Sequence, residues 1–103
     1  MGKTGTDGRS GDAVQQVLNA VHSAGCAEFS VGSETYLIQP ENNKGWDYLS
    51  IWRTGAMPVC LDRAFFDLRC GIDADTVSEL LHLPCIQGCS LLDRLSCGEI
   101  EWL

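Results

Sequence analysis

Ala27-Glu28-Phe29-Ser30-Val31-Gly32-Ser33-Glu34-Thr35-Tyr36-Leu37-Ile38 is the stretch whose pattern decides the fold. Its first five residues alternate apolar with polar, as a strand with one covered face does. Gly32-Ser33 suits a two-residue II′ turn, because the first central position needs a positive φ that glycine adopts freely. Thr35-Tyr36-Leu37-Ile38 then resumes the extended pattern. With Gly32 and Ser33 as the loop, Val31 pairs with Glu34, Phe29 with Tyr36 and Ala27 with Ile38. That register stacks Phe29, Tyr36 and Ile38 on one face, which calls for a helix to cover it.

The helix that can cover it comes just before. Asp12 can cap a segment in which Val14, Val17, Leu18 and Val21 fall at i, i+3, i+4 and i+7, with Gln15 at the capping-box position and Gly25 as the stop. Ahead of Asp12, the stretch Met1 to Gly11 holds four glycines and almost no apolar surface. It is expected to be a disordered tail, which leaves 12–103 as a single domain.

Beyond the hairpin, Pro40 to Gly45 reads as a turn-rich loop and Trp46 to Arg53 as a third strand rich in aromatic and β-branched residues. Its alternation leaves neither face plainly polar: Trp46, Tyr48, Ser50 and Trp52 point one way, while Asp47, Leu49, Ile51 and Arg53 point the other. Thr54 to Pro58 turns the chain, and Val59-Cys60-Leu61 is long enough for a short fourth strand. Asp62 can cap a short helix carrying Ala64, Phe65 and Leu68 to Gly71, the favoured reading, although Ala64 to Leu68 also fits a continuing strand. Asp73 or Asp75 opens a helix with Val77, Leu80 and Leu81 on one face, which Pro84 must end. Ser90 with Asp93 opens a last helix carrying Leu91, Leu92 and Leu95, closed by Gly98, and Glu99 to Leu103 alternates like an edge strand. The expected class is α+β: a three- to four-stranded antiparallel sheet packed on an N-terminal helix, with two or three short C-terminal helices.

The 103 residues carry a formal charge of −7. From Asp12 onward there are five Lys or Arg against thirteen Asp or Glu, so this part carries −8. Such a surface repels a phosphate backbone, and Lys44, Arg53, Arg63, Arg69 and Arg94 are scattered along the sequence, so no nucleic-acid partner is expected. No stretch reaches the roughly 18 apolar residues that span a bilayer, so no membrane association is expected and the chain reads as cytoplasmic. Disulfide frameworks belong to exported chains, so all six cysteines are expected to be reduced.

Tyr36-Leu37-Ile38-Gln39-Pro40 running into Gly45-Trp46-Asp47-Tyr48-Leu49-Ser50-Ile51-Trp52, then Arg63-Ala64-Phe65-Phe66-Asp67 and Leu83-Pro84-Cys85-Ile86-Gln87-Gly88, resembles a group of short proteins carried by bacteria of the clostridial type, often on mobile elements. The resemblance spans most of the chain from Val14 onward. It brings no assigned activity or cofactor, and implies a bacterial cytoplasmic accessory protein.

Two constellations are candidates for chemistry. His82, Cys85, Cys89 and Cys97 have the thiolate and imidazole groups that suit tetrahedral zinc, but structural sites bring two short knuckles together, and Cys97 would have to fold back from the end of a helix. Buried reduced thiols are the simpler account, with a reversible Cys85–Cys89 pair as a third. No catalytic residues emerge, since nothing places His22 or His82 beside a particular cysteine and the carboxylates fall mainly at caps and turns. No enzyme activity and no cofactor are therefore expected. The second constellation is the aromatic row Trp46, Tyr48 and Trp52, joined by Met57 if the following turn folds back over it. On a sheet covered on both sides these rings are core; if Leu49 and Ile51 face the core, the rings form a surface suited to a protein partner. The expected role is a non-enzymatic accessory protein that binds or regulates a protein partner. The alternatives are an acidic nucleic-acid mimic that inhibits a host enzyme, and a zinc- or thiol-based structural module.

Overall fold

The computed structural model describes residues 5–66 and 71–103, with the side chains of residues 5–10 and 43 left aside. Helix α1 (Gly5–Ala24) leads into β1 (Ala27–Val31) and β2 (Glu34–Asn43). These two strands pair in the expected register, Ala27 with Ile38, Phe29 with Tyr36 and Val31 with Glu34. The loop residue Gly32 has φ 62°, the value a II′ turn needs at its first central position. The Phe29 and Tyr36 rings stack across the two strands, 5.1 Å between centroids. Such a pair adds about 0.5–1.5 kcal/mol beyond the area it buries.

Strand β2 runs on through Pro40 to Asn43, where a loop was expected. It does so because β3 (Trp46–Arg53) pairs with it along its whole length, from Arg53 opposite Tyr36 to Trp46 opposite Asn43. Pro40 lies past Ile38, the last β2 residue opposite β1, so one side of the strand is unpaired there and a missing donor is tolerated. The reversal is the two-residue turn Lys44-Gly45, at φ 55° and 85°. Strand β4 (Val59–Phe65) corrects the expected helix from Asp62: residues 62–65 are extended and paired with β3, Ala64 opposite Leu49 and Phe65 opposite Tyr48. Burying Ala64 beside Leu49 in the core is the gain that a surface helix would forgo. A bulge sets Ile51 opposite Asp62 and Trp52 opposite Cys60, leaving Leu61 as the extra residue. Phe66 continues from the strand, its backbone N–H on the Asp47 carbonyl at 3.1 Å, and residues 67–70 of the expected helix lie outside the described residues.

Helices α2 (Ala74–Leu81) and α3 (Leu91–Ser96) follow with the expected caps. The Asp73 carboxylate accepts from the Thr76 backbone N–H and Ser90 Oγ from that of Asp93. Strand β5 (Ile100–Trp102) then pairs antiparallel with β1, so the sheet has five strands in the order β4-β3-β2-β1-β5 and not three or four. Its alternation places Ile100 and Trp102 on the core side, where Trp102 meets the Phe29 ring edge-on at 5.7 Å.

The three helices of the described residues supply the same core. Ala13, Val17 and Val21 of α1, Val77, Leu80 and Leu81 of α2 and Leu91 of α3 meet Phe29, Tyr36, Ile38, Leu49 and Ile51, which share one sheet face by register. Helix α1 begins at Gly5, ahead of the cap expected at Asp12; from residue 11 onward, Ala13 is the first buried side chain. Residues 1–4, the rest of the expected tail, lie outside the described residues. No described helix is long and apolar enough to cross a membrane.

Candidate functional site

The opposite face of the sheet has no helix packed on it among the described residues. Alternation along β3 sends Leu49 and Ile51 into the core and leaves Trp46, Tyr48, Ser50 and Trp52 on this open face. The β4 register adds Arg63, opposite Ser50, and Phe65, opposite Tyr48. The Lys44-Gly45 turn brings Lys44 to the end of the row.

These residues build two adjoining features. The first is a groove of about 410 Å³ walled by Lys44, Trp46, Tyr48, Arg63 and Phe65. The Phe65 ring meets Trp46 at 6.0 Å and Tyr48 at 5.6 Å, both edge-on. The Arg63 guanidinium carbon lies 5.0 Å above the Tyr48 ring centre, a cation–π geometry. Trp46 is 67% exposed and Phe65 52%, whereas Tyr48, between them, is only 7% exposed. The groove is thus an aromatic floor with exposed shoulders and two cations on its walls.

The second feature is a polar knot centred on Glu41. Its carboxylate accepts from Ser50 Oγ, from the Trp52 indole N–H at 2.6 Å and from the Gln39 side-chain amide at 3.4 Å. Ser50 Oγ also lies 3.1 Å from the Gln39 carbonyl and 3.0 Å from Trp52 Nε1. Burial alone would raise the Glu41 pKa; hydrogen bonds from Ser50, Trp52, Gln39 and Tyr48 outweigh it and hold the carboxyl below its ordinary value. The knot explains how Ser50 can be fully buried on a face without a helix layer.

The aromatic row read from the sequence therefore lies on one face but splits by environment. Trp46 is an exposed wall of the groove, Tyr48 is its buried floor, and half-buried Trp52 is tied into the knot. Met57, in the turn between β3 and β4, is 83% exposed and is not a wall of the groove. Lys44, Arg63, Phe65 and Glu41 were not in the sequence-based site. Phe65 and Arg63 reach it only through the β4 pairing, which reading this stretch as a helix conceals.

His82, Cys85, Cys89 and Cys97 are placed apart in role. Exposed His82 donates from Nδ1 to the Ser78 carbonyl at 2.6 Å, Cys89 bridges back to Ile86, and exposed Cys97 caps α3. Burial pushes the Cys85 thiol up to about 11, with Asp62 and Cys60 adding to the effect. Among the described residues no three His, Cys, Asp or Glu side chains form a metal-holding group. The five described cysteines, Cys26, Cys60, Cys85, Cys89 and Cys97, are free thiols.

No family model, curated protein or solved structure matches this chain. The functional reading rests on the open face itself.

Proposed function

We propose that this chain is a small non-enzymatic accessory protein that docks a protein partner on the open face of its sheet, at the groove between β3 and β4. The observation that carries the reading is the exposure of Trp46 and Phe65 side by side on a face that has no helix cover among the described residues. Large aromatic rings left in water forgo about 1.5–3 kcal/mol of burial each, and partner interfaces recover that energy through anchors of this kind. The cationic walls at Lys44 and Arg63 favour docking over the acidic-mimic alternative, which needs carboxylates there. The resemblance to short proteins of clostridial-type bacteria favours a cytoplasmic accessory role.

Trp46 is the residue to test, because Trp52 holds the polar knot and its truncation would mix folding with binding. Trp46→Ala is expected to change stability by less than about 1 kcal/mol and to weaken partner binding by about 2 kcal/mol or more. The control is Gln15→Ala on the exposed side of α1, expected to leave binding unchanged. Partner retention equal for both variants would remove the reading.

A further inference from the structure

We propose that the groove takes an acidic segment of the partner in which a carboxylate sits beside an aliphatic or aromatic side chain. The carboxylate is held between Lys44 and Arg63 while its apolar neighbour packs on Trp46 and Phe65. This rests on the docking reading above and names the chemistry of what docks.

The argument begins with charge. In a chain where acidic residues outnumber basic ones two to one, both charged walls of the groove are cationic. Among the described residues no acidic side chain makes an ion pair with either. Glu41, opposite Tyr48 in the sheet, is committed to Ser50, Trp52 and Gln39, and the Asp62 carboxylate accepts the Arg63 backbone N–H at 2.9 Å and makes no ion pair with its guanidinium. Among the described residues, the two cations are left without a carboxylate partner.

The seat of Lys44 points the same way. It occupies the first central position of the β2–β3 turn at φ 55°, where Asn, Asp or Gly is the conformationally favoured choice. A lysine there is a poor turn former, but it sets an ammonium at the rim of the groove. Arg63, held over the Tyr48 ring, presents a guanidinium that matches the planar fork of a carboxylate. Between them, Trp46 and Phe65 present apolar surface.

The same facts favour a peptide over a single-stranded nucleic acid. Nucleic-acid affinity grows with the number of phosphates neutralised, and two cations on a chain of charge −7 neutralise few. Base stacking needs open ring faces, whereas one face of Tyr48 lies under Arg63. One or two carboxylates fall within the reach of Lys44 and Arg63, and at physiological salt the charge beyond about 8 Å is screened.

The test uses short peptides blocked at both ends: one alternating Glu with Leu, one with Gln replacing Glu, one with Ser replacing Leu, and oligothymidylate as a polyanion. Binding is followed by the Trp46 indole N–H signal in NMR titrations. The Glu–Leu peptide is expected to shift that signal, and either peptide replacement to weaken binding about tenfold. Lys44→Asn and Arg63→Gln are each expected to weaken the Glu–Leu peptide about fivefold while leaving the Gln–Leu peptide unchanged. Asn suits the turn better than Lys, so a loss in Lys44→Asn cannot be assigned to misfolding. Equal binding of the Gln–Leu peptide, tighter binding of oligothymidylate, or no shift at millimolar Glu–Leu peptide each overturns the proposal. If any of these occurs while Trp46→Ala still releases the native partner, docking on the open face stands and the acidic segment alone is rejected.

Discussion

Glu41 shows how a charged group serves a sheet face that carries no helix among the described residues. Its carboxyl is depressed below the ordinary 4.5 because donors outweigh its burial. A depressed acid stabilises the fold fully above its unfolded value and ceases to do so as pH falls through the folded one. Glu41→Gln places an amide N–H₂ among donors, so at neutral pH it is expected to lower stability by about 1 kcal/mol, a figure reduced for partial exposure. The difference from the parent chain should shrink as pH drops below 4.5, which urea denaturation across acidic pH would measure. A difference that persists unchanged in acid would show that packing is responsible. The cysteines give a second residue-scale expectation. With its thiol raised from 9.0 to about 11, Cys85 holds about a hundredfold less thiolate at neutral pH than an ordinary cysteine. Iodoacetamide should therefore alkylate exposed Cys97 at least about tenfold faster than Cys85, read by peptide mass spectrometry.

At the scale of elements, short α3 depends on its start. Ser90 Oγ accepts the Asp93 backbone N–H at 3.0 Å and buries with Leu91, so Ser90→Ala is expected to cost about 0.5–2 kcal/mol in chemical denaturation. Ser90→Asp, which keeps an acceptor, should recover part of it. Caps of this kind were legible in the sequence because they are local: Asp73 and Ser90 each stand just before an apolar pattern of period 3.6. The β1–β2 register was legible for the same reason, since Gly32-Ser33 and strict alternation leave one pairing. Strand β4 was not, because Asp62-Arg63-Ala64-Phe65 is locally neutral between helix and strand. What decides it is Ala64 meeting Leu49 in the core, a contact between separate elements. The groove inherits that difficulty: Trp46 and Tyr48 could be read from β3 alone, whereas Arg63 and Phe65 depended on a pairing that includes the Leu61 bulge. The C-terminal strand was visible as an alternation, but its neighbour in the sheet was not.

For the whole molecule, the order β4-β3-β2-β1-β5 divides the sheet into two kinds of pairing. Strands β1 to β4 form a meander in which every neighbour in space is a neighbour in sequence. Strand β5 departs from this, joining positions 29 and 102 after the chain has passed through α2 and α3. The helices on one side and the aromatic groove on the other follow from the meander, which fixes the faces before β5 is added. The late partner has a kinetic consequence. Closing a long loop costs entropy that local hairpins avoid, so β5 should still be detached at the barrier to folding and should dock on the downhill side of it. Trp102→Ala removes the edge-on contact with Phe29 and is expected to destabilise the native state while leaving the refolding rate nearly unchanged. In stopped-flow experiments the unfolding limb of the chevron should rise and the refolding limb should stay in place. Phe29→Leu, within the early hairpin, should instead slow refolding. The three-residue strand would then act as a latch that governs how long the folded state lasts and not how quickly it is reached.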